Sequence, residues 1–144
     1  MLLREATVSY SGKRIEGSAQ VASAADVYRV CRDFETTTVE HFVVLHLNVK
    51  HRVISRQTVA IGSVASVDVH PREVFRVAVM IGASAVIVVH NHPSGEAAPS
   101  VEDNALTRRL VDCGKLLGIK VLDHVVIGDG EFISLAETVA ELFS

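Results

Sequence analysis

The chain reads as one α/β domain of three layers, helix, sheet and helix, built around a mixed sheet. Three observations predict it. Segments with a single buried helical stripe alternate with β-rich apolar segments, in the order strand, helix, two strands, helix, strand, helix, two strands, helix. The run Ala85-Val86-Ile87-Val88-Val89 lacks in–out alternation, as a strand covered on both faces does. Finally, 144 residues fit one domain with one sizeable core, and no linker, repeat or low-complexity tract divides them.

In order, residues 2–10 alternate loosely and are expected to form a strand, ended by a turn at Ser11-Gly12. Ser23 and Asp26 look like a capping pair, and Val27, Val30, Cys31 and Phe34 follow at the spacing of one buried helix face. Glu40 to Val49 is the best strand of the first half. Arg52 to Ile61 reads as its antiparallel partner, with Lys50-His51 near the turn and Gly62-Ser63 as the break. His70-Pro71-Arg72-Glu73 opens a second helix with proline at the first helical position, where it is tolerated. Val74, Val77, Ala78 and Ile81 form its stripe, and Gly82 stops it. The strand 85–89 leads through a Pro/Gly loop to a third helix over Val101–Leu117. Leu106, Leu110, Cys113 and Leu117 are expected to face inward there, with Gly118 as the stop. Strand 121–127, a tight turn at Asp129-Gly130, strand Phe132-Ile133 and a short helix with Ala136, Val139, Ala140 and Phe143 complete the chain.

The composition narrows the function classes. The chain is 49% hydrophobic and 22% charged, as soluble globular proteins are. A net charge of −3 gives no general reason to bind nucleic acid or an acidic membrane surface, and Arg108-Arg109 with Lys115 reads as a solvated helix face. Cys31 and Cys113 lack CxxC spacing and are expected to be reduced, largely buried thiols of a cytoplasmic protein. The N-terminus has no signal-peptide pattern, and no apolar run approaches the roughly 20 residues of a membrane span.

The chemistry concentrates at His90-Asn91-His92-Pro93-Ser94-Gly95. Residues i and i+2 of a strand point to the same side, so both imidazoles can aim at one point beyond the carboxyl end of strand 85–89. Asp103, three positions after the helix cap Ser100, can reach that point as a third ligand. Two histidines and a carboxylate with an open fourth position hold a catalytic zinc, whereas structural zinc has four protein ligands. An HxH pair alone occurs by chance. The context adds weight: the pair ends a buried strand, Pro93 and Gly95 turn the chain at once, and a capped helix delivers the carboxylate. His41, His46 and His51 are expected at the surface of the first hairpin, and His70 in the turn that begins the second helix.

His90-Asn91-His92-Pro93, then Ser100, then Asp103 resembles the JAMM (MPN+) metalloprotease motif. More narrowly, Val69 to Val74, His90 to Gly95 and Val121 to Gly130 resemble the RadC family, and the likeness covers about residues 24–137. The resemblance implies a cytidine-deaminase-like (JAB/MPN) fold, a Zn2+ ion held by His90, His92 and Asp103, and an upstream catalytic glutamate that matches Glu40. It also implies that the serine at position 100 hydrogen-bonds the developing oxyanion, a role compatible with its being an N-cap. RadC proteins carry a helix-hairpin-helix segment ahead of this domain. The stretch before the good strand that starts at Glu40 is short, so the expectation is a single domain over 1–144 without that segment.

The function expected is a zinc-dependent hydrolase, a metallopeptidase or isopeptidase in which a metal-activated water, relieved of its proton by Glu40, attacks the amide carbonyl of a peptide or protein. The alternative is a DNA-repair-associated accessory protein or MPN-like binding module without proteolysis. The charge argues against nucleic acid, the family allows it, and the complete ligand set favours the enzyme. A zinc nucleoside deaminase would need HxE and PCxxC; this chain has HxH, and its cysteines lie 82 positions apart (113 − 31). Asp123 and His124 resemble family residues near the site. Asp123 orienting His124 or a ligand and a purely structural pair both remain open.

Overall fold

A computed structural model of the protein describes residues 2–7, 9, 20–62 and 69–144. Its centre is a five-stranded mixed sheet in the order β2-β1-β3-β4-β5, formed by β1 (His41–Leu47), β2 (Val53–Ile61), β3 (Ala85–Asn91), β4 (Lys120–Ile127) and β5 (Phe132–Ser134). β3 and β4 run parallel, and the other neighbouring pairs are antiparallel.

Alternation along the central strands feeds two separate cores. On one face Phe42, Val44, Val86, Val88 and Val121 pack against Val74, Phe75 and Ala78 of α2 (Pro71–Met80) and Leu106, Leu110 and Val111 of α3 (Val101–Leu117). On the other, Val43, Leu45, Leu47, Ile87, Val89, Val125 and Ile127 pack against Ala24 and Val27 of α1 (Ala24–Val30) and against Cys31 and Phe34 just beyond it. β3 sits between β1 and β4 and under helices on both sides. All seven of its residues are therefore buried, which explains the missing alternation. The expected three layers are present.

Local signals place the helices. Asp26 accepts from the N–H groups of Ala22 and Ser23, closing the start of α1. His70 is the N-cap of α2, Pro71 follows inside the helix, and Gly82 leaves it with φ 68°. At α3 the caps are complete: Ser100 Oγ accepts from Asp103 N–H, Asp103 accepts from Ser100 N–H, and Gly118 closes the helix at φ 71°.

Four expectations differ from the structure. Residues 2–7 and 9 carry no strand, and the turn at Ser11-Gly12, like Ser63, lies outside the described residues. In α3 the inward face passes from Leu110 to Val111 and Gly114, and Gly118 then turns the chain back toward β4. Leu117 is consequently left 50% exposed. The final helix divides into α4 (Leu135–Thr138) and a 3-10 turn (Ala140–Phe143), because Val139 takes φ −137° between them. His46 is completely buried, because β1 is an inner strand and its residue 46 alternates with Val44 and Phe42 into a covered face. His51 is exposed and His41 half-buried. Among the described residues, no helix is long and apolar enough to cross a membrane.

Candidate metal centre

The end of β3 carries two imidazoles in opposite circumstances. His90, the sixth residue of the strand, is buried and continues the face of Val86 and Val88. His92, just past the strand, is half-exposed at the mouth. Their Nε2 atoms lie 2.9 Å apart. Asp103, in the first turn of α3, closes the triangle, with Oδ1 3.3 Å from His90 Nε2 and Oδ2 3.5 Å from His92 Nε2. Among the described residues searched, these three form the His/Cys/Asp/Glu group able to hold a metal ion. Two nitrogens and a carboxylate oxygen bonded to zinc at tetrahedral angles would stand about 3.3 Å from one another, given bonds near 2.0–2.1 Å. The observed spacing fits that set.

The electrostatics suit a cation. Hydrogen bonding to Asp103 leads the influences that raise the His92 pKa; Glu96 and the charges of Asp103 and Glu40 add to it, against burial. Burial works against a charge on Asp103, but hydrogen bonds from His90 and His92, the charge of His90 and the Ser100 backbone overcome it. The carboxyl is held well below the usual range. A pocket that draws a proton onto an imidazole and keeps a carboxylate ionised draws a divalent ion for the same reason.

The loop after β3 is held from two sides. His92 Nδ1 donates to the Glu96 carbonyl at 2.8 Å, which leaves Nε2 as a lone pair facing the triangle. Gly95, at φ 90°, accepts from Asp129 N–H at 2.8 Å, and His92 N–H donates to Ile127 O at 2.8 Å. A side chain on Gly128 would collide with the Gly95 carbonyl, so the β4–β5 turn and the ligand loop touch backbone to backbone.

Glu40 immediately precedes β1. Phe42 pairs with His90, so Glu40, two residues earlier in the chain, lies toward the end of the sheet that bears His92. Its charge contributes to raising the His92 pKa. Asn91, the residue between the two histidines, secures that segment from the other face. Its Oδ1 accepts from His41 N–H at 2.7 Å, and its Nδ2 donates to Val39 O at 3.0 Å and to Thr37 Oγ1 at 2.8 Å. Gly62 N–H donates to the Glu40 carbonyl at 2.9 Å. Nothing in composition or spacing marks Asn91, although a buried carboxamide between two ligands is the kind of residue that spans a neighbouring backbone.

Asp123 and His124 separate. As successive residues of β4 they face opposite sides. Asp123 accepts from His124 N–H, Ala136 N–H and Ser134 Oγ, anchoring the start of α4, and burial pushes its carboxyl upward in pKa. Its carboxylate makes structural bonds. The His124 ring points to the centre instead: its Nε2 is 2.7 Å from His90 Nδ1 and its Nδ1 is 2.6 Å from Thr107 Oγ1. Burial, followed by the charge of His90, drives its pKa far down.

Known proteins carry the same arrangement of sequence. UPF0758 proteins of Bacillus cereus (strain AH187), Bacillus anthracis (strain A0248) and Bacillus thuringiensis subsp. konkukian (strain 97-27) are each 58% identical over 98 residues, which is 68% of this chain and 44% of theirs. The chain therefore spans less than half the length of these curated relatives. The family model described as a RadC-like JAB domain matches residues 21–140, from two residues before the α1 cap through the last 3-10 turn's first residue. With the sheet, both helical layers and the whole His–His–Asp triangle inside that match, the chain belongs to the RadC family through its JAB domain.

Proposed function

We propose that this domain is a zinc-dependent hydrolase of the metallopeptidase or isopeptidase type, acting on an amide bond of a peptide or protein. The observation that supports it most is the convergence of His90 Nε2, His92 Nε2 and the Asp103 carboxylate within 2.9–3.5 Å, and the charge of Glu40 acts on His92. Three protein ligands leave a coordination position open, as in catalytic rather than structural zinc sites. Two imidazoles and one carboxylate suit zinc better than magnesium or calcium, which prefer all-oxygen sets. When bound, zinc polarises a carbonyl and lowers the pKa of a water from about 16 to about 7.

The chain's own residues supply the rest. Glu40 accepts a proton from the attacking water and passes it to the leaving amine. Asn91 pins the backbone on either side of Glu40, at Val39 and His41. Ser100 uses an Oγ lone pair to cap α3, and this leaves its hydroxyl proton to donate to the oxygen that gains charge. His92, fixed by Glu96 O, keeps a lone pair turned inward. The free thiols Cys31 and Cys113 accord with a cytoplasmic setting.

The test combines metal analysis with turnover. One zinc per chain is expected by elemental analysis, together with cleavage of a peptide or isopeptide library. Glu40→Gln should keep the zinc and the melting temperature while losing at least about 10²-fold in rate. Full activity in that variant removes Glu40 from the mechanism. A metal-free chain whose retention on DNA falls steeply with salt would replace the hydrolase with a binding module.

A further inference from the structure

Behind His90 lies a second, fully buried imidazole, and the direction of every hydrogen bond around it can be deduced. The series begins at the Asp103 main-chain carbonyl, which can only accept. Thr107 Oγ1 stands 2.6 Å from that oxygen, one helical turn on, and donates its single proton there. His124 Nδ1, 2.6 Å from the same hydroxyl, faces an oxygen with no proton left to give, so Nδ1 carries the hydrogen. A fully buried imidazole is neutral, because an isolated charge there would lose its solvation. Its Nε2 is therefore a lone pair, and His90 Nδ1, 2.7 Å away, must be the donor. That assigns the remaining nitrogen of His90, Nε2, as the one turned toward His92 and Asp103.

We infer that Thr107 and His124 are positioning residues for the metal centre: they hold His90 as the Nδ1–H tautomer and keep its Nε2 free to ligate. The inference rests on the metal-centre reading above and adds two residues that touch neither metal nor substrate. His90 and His92 are thus prepared in the same way by different means. His92 donates to a loop carbonyl, and His90 donates to a buried ring whose own orientation is set by the backbone of the third ligand. The series closes a ring through the fold: the Asp103 main chain orients Thr107, Thr107 orients His124, His124 orients His90, and His90 faces the Asp103 side chain.

Removing the hydroxyl inverts the ring. With valine at 107 nothing accepts from His124 Nδ1, and the proton moves to Nε2. His90 must then accept on Nδ1 and carry its own proton on Nε2, the atom a metal needs. Outer partners of ligating histidines are typically worth 10–100-fold in metal affinity.

Two measurements test this. In the metal-free, 15N-labelled chain, long-range 1H–15N spectra should show protonated Nδ1 on both His124 and His90, with unprotonated Nε2 on His124. The opposite tautomer at either ring overturns the inference without reference to any metal. In zinc competition against a chelator, Thr107→Val should weaken binding about 10–100-fold, and Thr107→Ser, which restores the hydroxyl, should stay within about threefold of the unaltered chain. Equal affinity for Thr107→Val, or a Thr107→Ser variant as weak as Thr107→Val, also overturns it. If the unaltered chain shows the stated tautomers and takes up no zinc, the metal-centre reading fails and takes the positioning role with it, while the hydrogen-bond series itself stands.

Discussion

The two faces of the sheet are built to different ends. Toward α1 the strands present Val43, Leu45, Leu47, Ile87, Val89, Val125 and Ile127, and the first polar side chain met along β3 on that face is Asn91 at its tip. Toward α2 and α3 the same strands start with Val86, Val88, Val44 and Phe42 and then bury His90, His124 and Thr107 together, with His46 farther along β1. Buried polar groups cost free energy unless paired, so a face that carries several must serve something besides stability. The apolar face supplies the fold. The mixed face directs lone pairs.

The comparison can be broken first on the apolar face, where the largest change in folding free energy is expected. Leu45→Ala should destabilise the domain by about 2–5 kcal/mol through lost burial and a cavity, yet leave zinc affinity unaltered. Calorimetry and metal competition check both halves, and a linked loss of affinity would mean that the faces are not independent.

Ser100→Ala comes next. Loss of the cap alone costs about 1 kcal/mol, whereas loss of an oxyanion donor costs about 10²–10³ in kcat. A small fall in melting temperature with a large fall in kcat is expected. Rate and stability falling together by about tenfold and 1 kcal/mol would leave the serine as a cap.

Asn91→Ala sharpens the contrast from the other side, since Asn91 is a buried polar residue on the apolar face. The His41 N–H loses its partner, at about 1–3 kcal/mol. Metal should be retained while kcat falls, because the segment released is the one that carries Glu40.

The last test is a pH dependence. Burial pushes the His46 pKa down to about 4, against roughly 6.5 in an unfolded chain. Between those values the unfolded state binds a proton that the folded state refuses. His46 therefore lowers stability as pH falls through that window, by up to about 1.4 kcal/mol per unit, and contributes no slope above it. His124 acts in the same direction in both proteins, so the difference between wild-type and His46→Leu melting curves from pH 4.5 to 7.5 isolates His46.

Much of this was legible because it is written locally. The unbroken apolar run of β3, the Ser100–Asp103 cap, the terminal glycines of α2 and α3, and the His-Asn-His spacing each act within a few residues. The triangle could be anticipated because strand alternation fixes two ligands and a helix cap fixes the third. What escaped was decided across the chain. His46 looks like a surface histidine until β1 proves to be an inner strand with Ser55 opposite, 2.5 Å from its Nδ1. The loose alternation of residues 2–7 does not become a strand. His124 and Thr107 stand 17 residues apart and meet only because β4 lies beneath α3. The two readings of Asp123 separate only in the fold, where it bonds the His124 N–H and the start of α4 while the His124 ring faces the other way.

The contact between Gly128 and Gly95 has a consequence for how this protein could be cut or rearranged. The last quarter of the sequence contributes none of the three ligands, yet it braces the loop that bears one of them and supplies the ring that steers another. A fragment stopping at the end of α3 would spell out the complete motif and lack both supports. The motif is therefore legible over a few residues, whereas the centre it describes is assembled by nearly the whole domain.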